Sequence, residues 1–166
     1  MRSGRRISGR AGLWAGPPPP AETADVDRGL TELYQLHYQP LVRMAALLVP
    51  DLATAEDIVQ DAFVAVYSAW PGCRDRPDAG TVLPLLLRLV VDRSRAVPPG
   101  HRPEDSGLMS ALWALPARQR EVLVLQYVAD LAENQVAAAA GLSEAAVRGQ
   151  VALAFSALRA ELPLPG

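Results

Sequence analysis

The segment from Leu115 to Leu162, L-P-A-R-Q-R-E-V-L-V-L-Q-Y-V-A-D-L-A-E-N-Q-V-A-A-A-A-G-L-S-E-A-A-V-R-G-Q-V-A-L-A-F-S-A-L-R-A-E-L, leaves this chain few folds to adopt. Pro116 suits the first turn of a helix, where a missing N–H costs nothing, and Val122, Leu125 and Val128 recur behind it at helical spacing. A short Ala-rich helix from Glu133 to Ala140 stops at Gly141, the residue type that takes the left-handed conformation of a sharp turn. Ser143 then caps a longer helix, with Glu144 against its positive end. Along that helix Val147, Val151, Ala154 and Leu158 fall on one stripe, which is expected to be buried. The opposite face carries Glu144, Ala145, Arg148, Gly149 and Ala152, with Gln150 beside them. Helix, short helix, tight turn and long helix is the helix-turn-helix pattern, in which this face lies in the major groove of DNA. The plain alternative is a three-helix bundle whose last helix is merely solvated outside.

The rest of the chain is also helical by pattern. Thr31 to Val49 reads as an amphipathic helix with Tyr34, Tyr38, Leu41, Ala45 and Leu48 on one stripe, and Pro40 should kink or divide it. After the Pro50-Asp51 break, A-T-A-E-D-I-V-Q-D-A-F-V-A-V-Y-S-A-W forms a second helix. Its apolar face is Ile58, Val59, Ala62, Phe63, Val66 and Trp70; Glu56, Asp57, Gln60 and Asp61 gather elsewhere. The segment P-G-C-R-D-R-P-D-A-G is a loop, and residues 81–97 form a third helix. Residues 98–107, with three prolines, are a linker, and the chain from Ala96 to Gly107 spans at most ~40 Å when stretched. Leu108, Leu112 and Leu115 then make an apolar edge that closes over the helix-turn-helix. The expected fold is all-α: a helical domain at 25–97 and a second at 108–162, joined by that linker and preceded by a disordered Gly-, Arg- and Pro-rich tail at 1–24.

Composition excludes several functions. Neither His37 nor His101 has the neighbours to assemble a metal cluster, and a single cysteine, Cys73, excludes an internal disulfide. With no paired His and carboxylate and no phosphate-cradling glycine loop, the chain is not an enzyme and needs no cofactor or metal. No apolar run approaches the roughly 20 residues that cross a membrane, and no apolar stretch follows Arg5-Arg6 as an export signal requires, so the expected compartment is the cytoplasm. All 16 cationic residues are Arg. Residues 106–162 hold four Arg against five acids and residues 25–97 seven against ten, whereas nucleic-acid-binding domains are typically basic. Binding to DNA therefore requires local clustering, for which Arg118, Arg120 and Arg148 are the candidates.

The phrase L-P-A-R-Q-R-E-V-L-V-L-Q-Y followed by G-L-S-E-A-A-V-R resembles region four of bacterial sigma factors of the extracytoplasmic-function (ECF) group. Residues 31–97 resemble region two, and A-E-D-I-V-Q-D-A-F is similar to the segment by which region two docks on the clamp helices of the polymerase largest subunit. The resemblance implies a transcription initiation factor with core RNA polymerase and promoter DNA as partners, and an anti-sigma factor as a further one. Carried over by position, Glu56, Asp57, Gln60 and Asp61 contact polymerase. Arg88, Arg93 and Arg95 meet the downstream promoter element, and Arg118, Arg120, Ser143, Glu144, Arg148 and Gln150 serve the upstream one. Arg pairs with guanine and Gln with adenine through bidentate contacts. Four features depart from the family pattern: leucines at 85 and 87 and Asp92 on the third helix, a short linker, Ala132 where a hydroxyl cap is usual, and Gly149 in the recognition helix. The combined deficit of positive charge, linker length and capping motivates the alternative of a sigma-like interaction protein that docks on polymerase or a regulator without productive promoter recognition.

Overall fold

Ala21, Glu22 and Ala24 are good helix formers, and α1 (Ala21–Ala45) begins with them, inside the stretch expected to be a tail. The computed structural model describes residues 21–69, 79–100 and 107–162. The expectations for the tail before residue 21, for Trp70, for Cys73 and its loop, and for His101 within the linker fall outside these residues. Pro40 sits on the exposed side of α1 and does not divide it, because only one backbone donor is lost.

Six residues, 46–51, lead to α2 (Leu52–Ala69), which Asp51 caps. The Thr54 amide donates to Asp51 Oδ1 at 2.8 Å and the Thr54 hydroxyl to Oδ2 at 2.8 Å. These bonds, the amide first, hold the Asp51 carboxyl below its ordinary pKa. Helix α3 (Ala79–Ala96) packs against both predecessors. Their common core holds Leu33, Leu41, Met44 and Ala45 from α1, Ile58, Val59, Ala62, Phe63 and Val66 from α2, and Val82, Leu86, Val90 and Val91 from α3. Ser94 is buried without penalty, since its hydroxyl donates to the Val90 carbonyl at 2.8 Å.

The second half contains α4 (Leu108–Ala114), α5 (Ala117–Leu123), a π-helical turn (Val124–Val128), α6 (Glu133–Ala140) and α7 (Glu144–Glu161). Pro116 stands just ahead of α5, Gly141 takes φ 67° and ψ 39°, and the Ala146 amide donates to the Ser143 hydroxyl at 3.2 Å. Val147, Ala154 and Leu158 are buried along α7 and Val151 half-buried, as the stripe requires. Two expectations shift. The Ala129 amide bonds the Val124 carbonyl five residues back, and this wider turn rotates Val128 off the stripe of Val122 and Leu125, leaving it exposed. On α4 the apolar edge is made by Ala111 and Leu115, with Leu112 half-buried and Leu108 turned outward.

The two halves are docked. Helix α6 packs on α3 and the π-helical turn on α1, so Val122, Leu125, Val136, Ala139 and Val147 belong to the same core as the first three helices. A smaller cluster of Ala111, Leu115, Leu123, Ala154 and Leu158 holds α4 against α7. The chain leaving α3 folds against the α1–α2 turn so closely that a Cβ at Gly100 would lie 2.6 Å from Pro50 Cγ.

Caps on the two helices of the motif differ in a testable way. Gln135 Oε1 accepts from the Ala132 amide at 2.9 Å, but alanine has no oxygen to return the bond to the start of α6. Ala132→Ser, already in the extended conformation of a cap, is expected to stabilise the chain by about 1 kcal/mol, and Ser143→Ala to destabilise it by about 1 kcal/mol; urea unfolding followed by circular dichroism measures both.

Candidate polymerase face and nucleic-acid interface

With Ile58, Val59, Ala62, Phe63 and Val66 committed to the core, helical geometry turns the acidic residues of α2 outward, and Glu56, Asp57, Gln60 and Asp61 are all exposed. Gln60 Nε2 donates to the Tyr38 hydroxyl at 3.3 Å, tying this face to α1. An apolar groove of about 580 Å³ runs beside it, lined by Tyr34, Gln60, Phe63, Val64 and Tyr67 among others. Tyr34, expected in the buried stripe of α1, stacks on Tyr38 at 4.7 Å and meets Phe63 edge-on at 4.9 Å while remaining 40% exposed. Leu30 and Leu33 take the core positions instead. Val64 and Tyr67 are 62% and 54% exposed, so the acidic face continues directly into an apolar one. Sequence reasoning missed these two. The signal was present, because apolar residues at 64 and 67 extend α2 beyond the arc that one core can cover.

Most of the candidate DNA-facing cations are already engaged in the molecule. Arg88 lies exposed on α3, 3.7 Å from Asp92. Arg93 is half-buried on the same helix. Arg95 points across to the second half: its Nε donates to Glu121 Oε2 at 2.8 Å, its Nη2 to Glu121 Oε1 at 2.7 Å and to the Ala140 carbonyl at 2.6 Å, while Nη1 meets Asp92 at 3.1 Å. Hydrogen bonding to Glu121 is the main reason the Arg95 pKa is raised still further. Arg118 joins the same group through Nη1, 3.0 Å from Glu121 Oε1 and 3.0 Å from the Ala140 carbonyl. Arg120 turns to α4, its guanidinium 4.1 Å from the centre of the Trp113 ring and Nη1 within 3.3 Å and 3.4 Å of the Trp113 and Leu115 carbonyls.

On α7 the outer face is open. Glu144, Ala145, Arg148, Gly149 and Ala152 are exposed and Gln150 is half-buried. Arg148 Nη1 donates to Glu133 at the start of α6. Each candidate for the local cluster is drawn to a different partner, Arg118 to Glu121, Arg120 to Trp113 and Arg148 to Glu133. Glu121, buried among Val122, Leu123 and Val124, is a central residue that periodicity gave no reason to single out.

Residues 33–94 match the family described as Sigma-70 region 2, and residues 107–158 match Sigma-70, region 4. The chain is 32% identical over 149 residues to the RNA polymerase sigma-E factor of Streptomyces antibioticus, a match covering 79% of this chain and 83% of that protein. It is 30% identical over 138 residues to the ECF RNA polymerase sigma factor SigD of Mycobacterium tuberculosis (strain ATCC 25618 / H37Rv), covering 68% of this chain and 65% of that one. Its fold superposes on CnrH, solved in complex with the cytosolic domain of CnrY, with a TM-score of 0.63 at 27% identity, over 84% of this chain and 92% of that one. The sigma factor RpoE of Bartonella quintana, solved with the anti-sigma factor NepR, shares the fold with a TM-score of 0.60 at 20% identity, over 84% and 99% of the two chains. The chain belongs to the sigma-70 family of RNA polymerase sigma factors, in its extracytoplasmic-function group.

The placement of Arg120 makes it a structural residue of the second half. Arg120→Ala is expected to lower stability by about 1–2 kcal/mol, through loss of the stacked guanidinium and its carbonyl contacts, whereas Arg88→Ala at an exposed ion pair should change it by less than about 0.5 kcal/mol; thermal unfolding of the two variants checks the contrast.

Proposed function

We infer that this chain is a transcription initiation factor that binds core RNA polymerase and directs it to promoter DNA. The observation that carries the reading is the presence on one chain, in family order, of regions two and four, each with an exposed face suited to its task. The unit of α1–α3 is the region-two-like domain and that of α4–α7 the region-four-like domain, divided within residues 98–107. In the first, Glu56, Asp57, Gln60 and Asp61 form the polymerase contact, with Val64 and Tyr67 extending it as an apolar flank. An acidic surface beside exposed aromatics fits a partner that is basic at one edge and apolar at the next. In the second, α7 enters the major groove, Arg148 and Gln150 read bases, and Ser143 and Glu144 lie at its entry. The exposed Arg88 and the half-buried Arg93 of α3 serve the downstream element.

The chain acts by binding and positioning, and the bond-forming chemistry belongs to the polymerase. Its place of action is the cytoplasm, and no helix among the described residues is long and apolar enough to cross a membrane. A regulator of the anti-sigma kind, such as holds the RpoE neighbour, fits as a third partner. The alternative of a sigma-like interaction protein is favoured by one observation, the pairing of Arg95, Arg118 and Arg148 with acids of the chain itself. Run-off transcription with purified core polymerase separates the two: promoter-specific transcripts support the initiation factor, and their absence in the presence of stable polymerase binding supports the alternative.

Two substitutions test the faces. Asp61→Arg should weaken co-purification with core polymerase at unchanged helicity, and equal recovery of variant and parent would remove α2 from the contact. Arg148→Ala should cost about 1–3 kcal/mol in promoter affinity and relax preference at one base position. Glu133→Gln, which releases Arg148 from its acid, should strengthen binding, as measured by fluorescence anisotropy on duplex DNA in complex with polymerase.

A further inference from the structure

Helix α2 is one-sided in charge as well as in hydropathy. It carries Glu56, Asp57 and Asp61 and no cation, and all three acids are exposed. Asp61 stands beside Gln60, and Glu56 and Asp57 one turn before it, so the acids continue the line of the groove that Gln60 and Val64 share with α1. That groove, about 580 Å³, is apolar at its other end, where Leu30 and Tyr34 of α1 face Phe63, Val64 and Tyr67 of α2. Its size suits a large aromatic or aliphatic group, and its rings offer faces on which an indole or a guanidinium can stack. Followed away from the start of α1, the surface therefore reads apolar first and acidic second.

The twenty residues ahead of α1 have the complementary order. Residues 1–20 contain Arg2, Arg5, Arg6 and Arg10 and no acid, and Leu13 and Trp14 lie between these cations and the four prolines that adjoin α1. Read outward from Ala21, the segment is apolar first and basic second. Its length fits as well. Seven residues separate Trp14 from Ala21, a span of ~22 Å at the extended spacing that prolines favour. Leu30 and Tyr34 lie nine and thirteen residues along α1, or ~14 Å and ~20 Å at about 1.5 Å per residue. Gln60 is level with Tyr38, to which it is bonded, so the acids begin ~26 Å from Ala21, and Arg10, Arg6 and Arg5 have chain in reserve to reach them.

We propose that residues 2–14 fold back along α1 into this groove, Leu13 and Trp14 against its aromatic end and the arginines against Asp57 and Asp61, and that the segment thereby shields the face of α2. The shielding rests on the initiation-factor reading, in which that face meets polymerase; the docking of the segment does not. A tethered segment needs little intrinsic affinity, since its effective concentration at the groove is on the order of millimolar. Polymerase then binds only the fraction of chains whose groove is open, and its apparent affinity is lowered by that fraction.

The test uses the full-length chain with Cys73→Ser and a nitroxide attached at Ser8→Cys, and reads the position of the label from relaxation enhancement at backbone amides. Broadening should centre on residues 57–67 of α2 and fade when salt rises from about 50 mM to about 500 mM. Arg5→Glu combined with Arg6→Glu, or Trp14→Ala alone, should reduce it several-fold at unchanged circular dichroism. The double variant, and a chain lacking residues 2–16, should bind purified core polymerase several-fold more tightly than the parent. Broadening that is spread evenly or centred elsewhere would overturn the docking. Equal broadening of label-free copies mixed with labelled ones would assign the groove to a second copy of the chain and overturn it too. Docking together with unchanged or weaker polymerase binding by the shortened chain would overturn the shielding. If neither parent nor variants bind polymerase, the initiation-factor reading fails and the shielding with it, while the relaxation data still decide whether the segment occupies the groove.

Discussion

A carboxylate placed in a helix whose next four residues are all buried has to be neutralised by something nearby, and Glu121 is such a group. Desolvating an ionised carboxylate costs several kcal/mol unless cations and donors replace the lost water. One guanidinium comes from the preceding turn of the same helix, Arg118, and the other from α3, Arg95, twenty-six residues away in sequence. The geometry is strict because the same two groups also satisfy the Ala140 carbonyl at the end of α6. One buried acid thereby fixes the mutual placement of α3, α5 and α6. Removing one partner from a fully buried pair costs about 3–5 kcal/mol. The partial exposure of both guanidinium groups lowers that figure here, and it makes the arrangement exchangeable as well as specific.

What was legible in the sequence is local in origin. The turn at Gly141, the cap at Ser143 and the buried stripe of Val147, Ala154 and Leu158 each depend on residues within one turn or one helix, and each is found as read. The same holds for the outward acidic face of α2, which follows from period alone once the apolar positions are known. Features set by distant partners were not legible. No pattern in residues 115–162 announces that Arg118 and Arg120, two positions apart on α5, diverge to Glu121 and Trp113. The π-helical turn that displaces Val128 inserts no proline or glycine to mark it. Likewise, Tyr34 satisfies the helical stripe but gives its core place to Leu30 and Leu33, because the apolar arc of α1 is wider than a single stripe describes.

The unusual leucines of α3 become partly intelligible once the halves are docked. Leu87 is 5% exposed and belongs to the shared core, so an apolar side chain at a position where a sigma factor tends to carry a cationic or aromatic one is satisfied inside this molecule. Nothing in the structure explains Leu85, which is 42% exposed. Asp92 sits within 3.7 Å of Arg88 and 3.1 Å of Arg95 and holds both in place by charge. Leu87 and Asp92 thus serve contacts within the chain itself.

Gly149 shows the opposite tendency on α7. A glycine in a helix interior costs about 1 kcal/mol relative to alanine, and such a cost is often offset by close packing that a Cβ would obstruct. Here nothing lies within 4 Å of the place a Cβ would occupy, so the chain's own packing does not require the missing side chain. The position lies between Arg148 and Gln150, on the face that remains open when the halves are docked. A small residue there lowers the helix surface at its centre and leaves the backbone of α7 more accessible than at its neighbours. The cost therefore falls on a part of α7 whose only neighbouring contact among the described residues is the Arg148–Glu133 ion pair, and packing within the fold does not account for it.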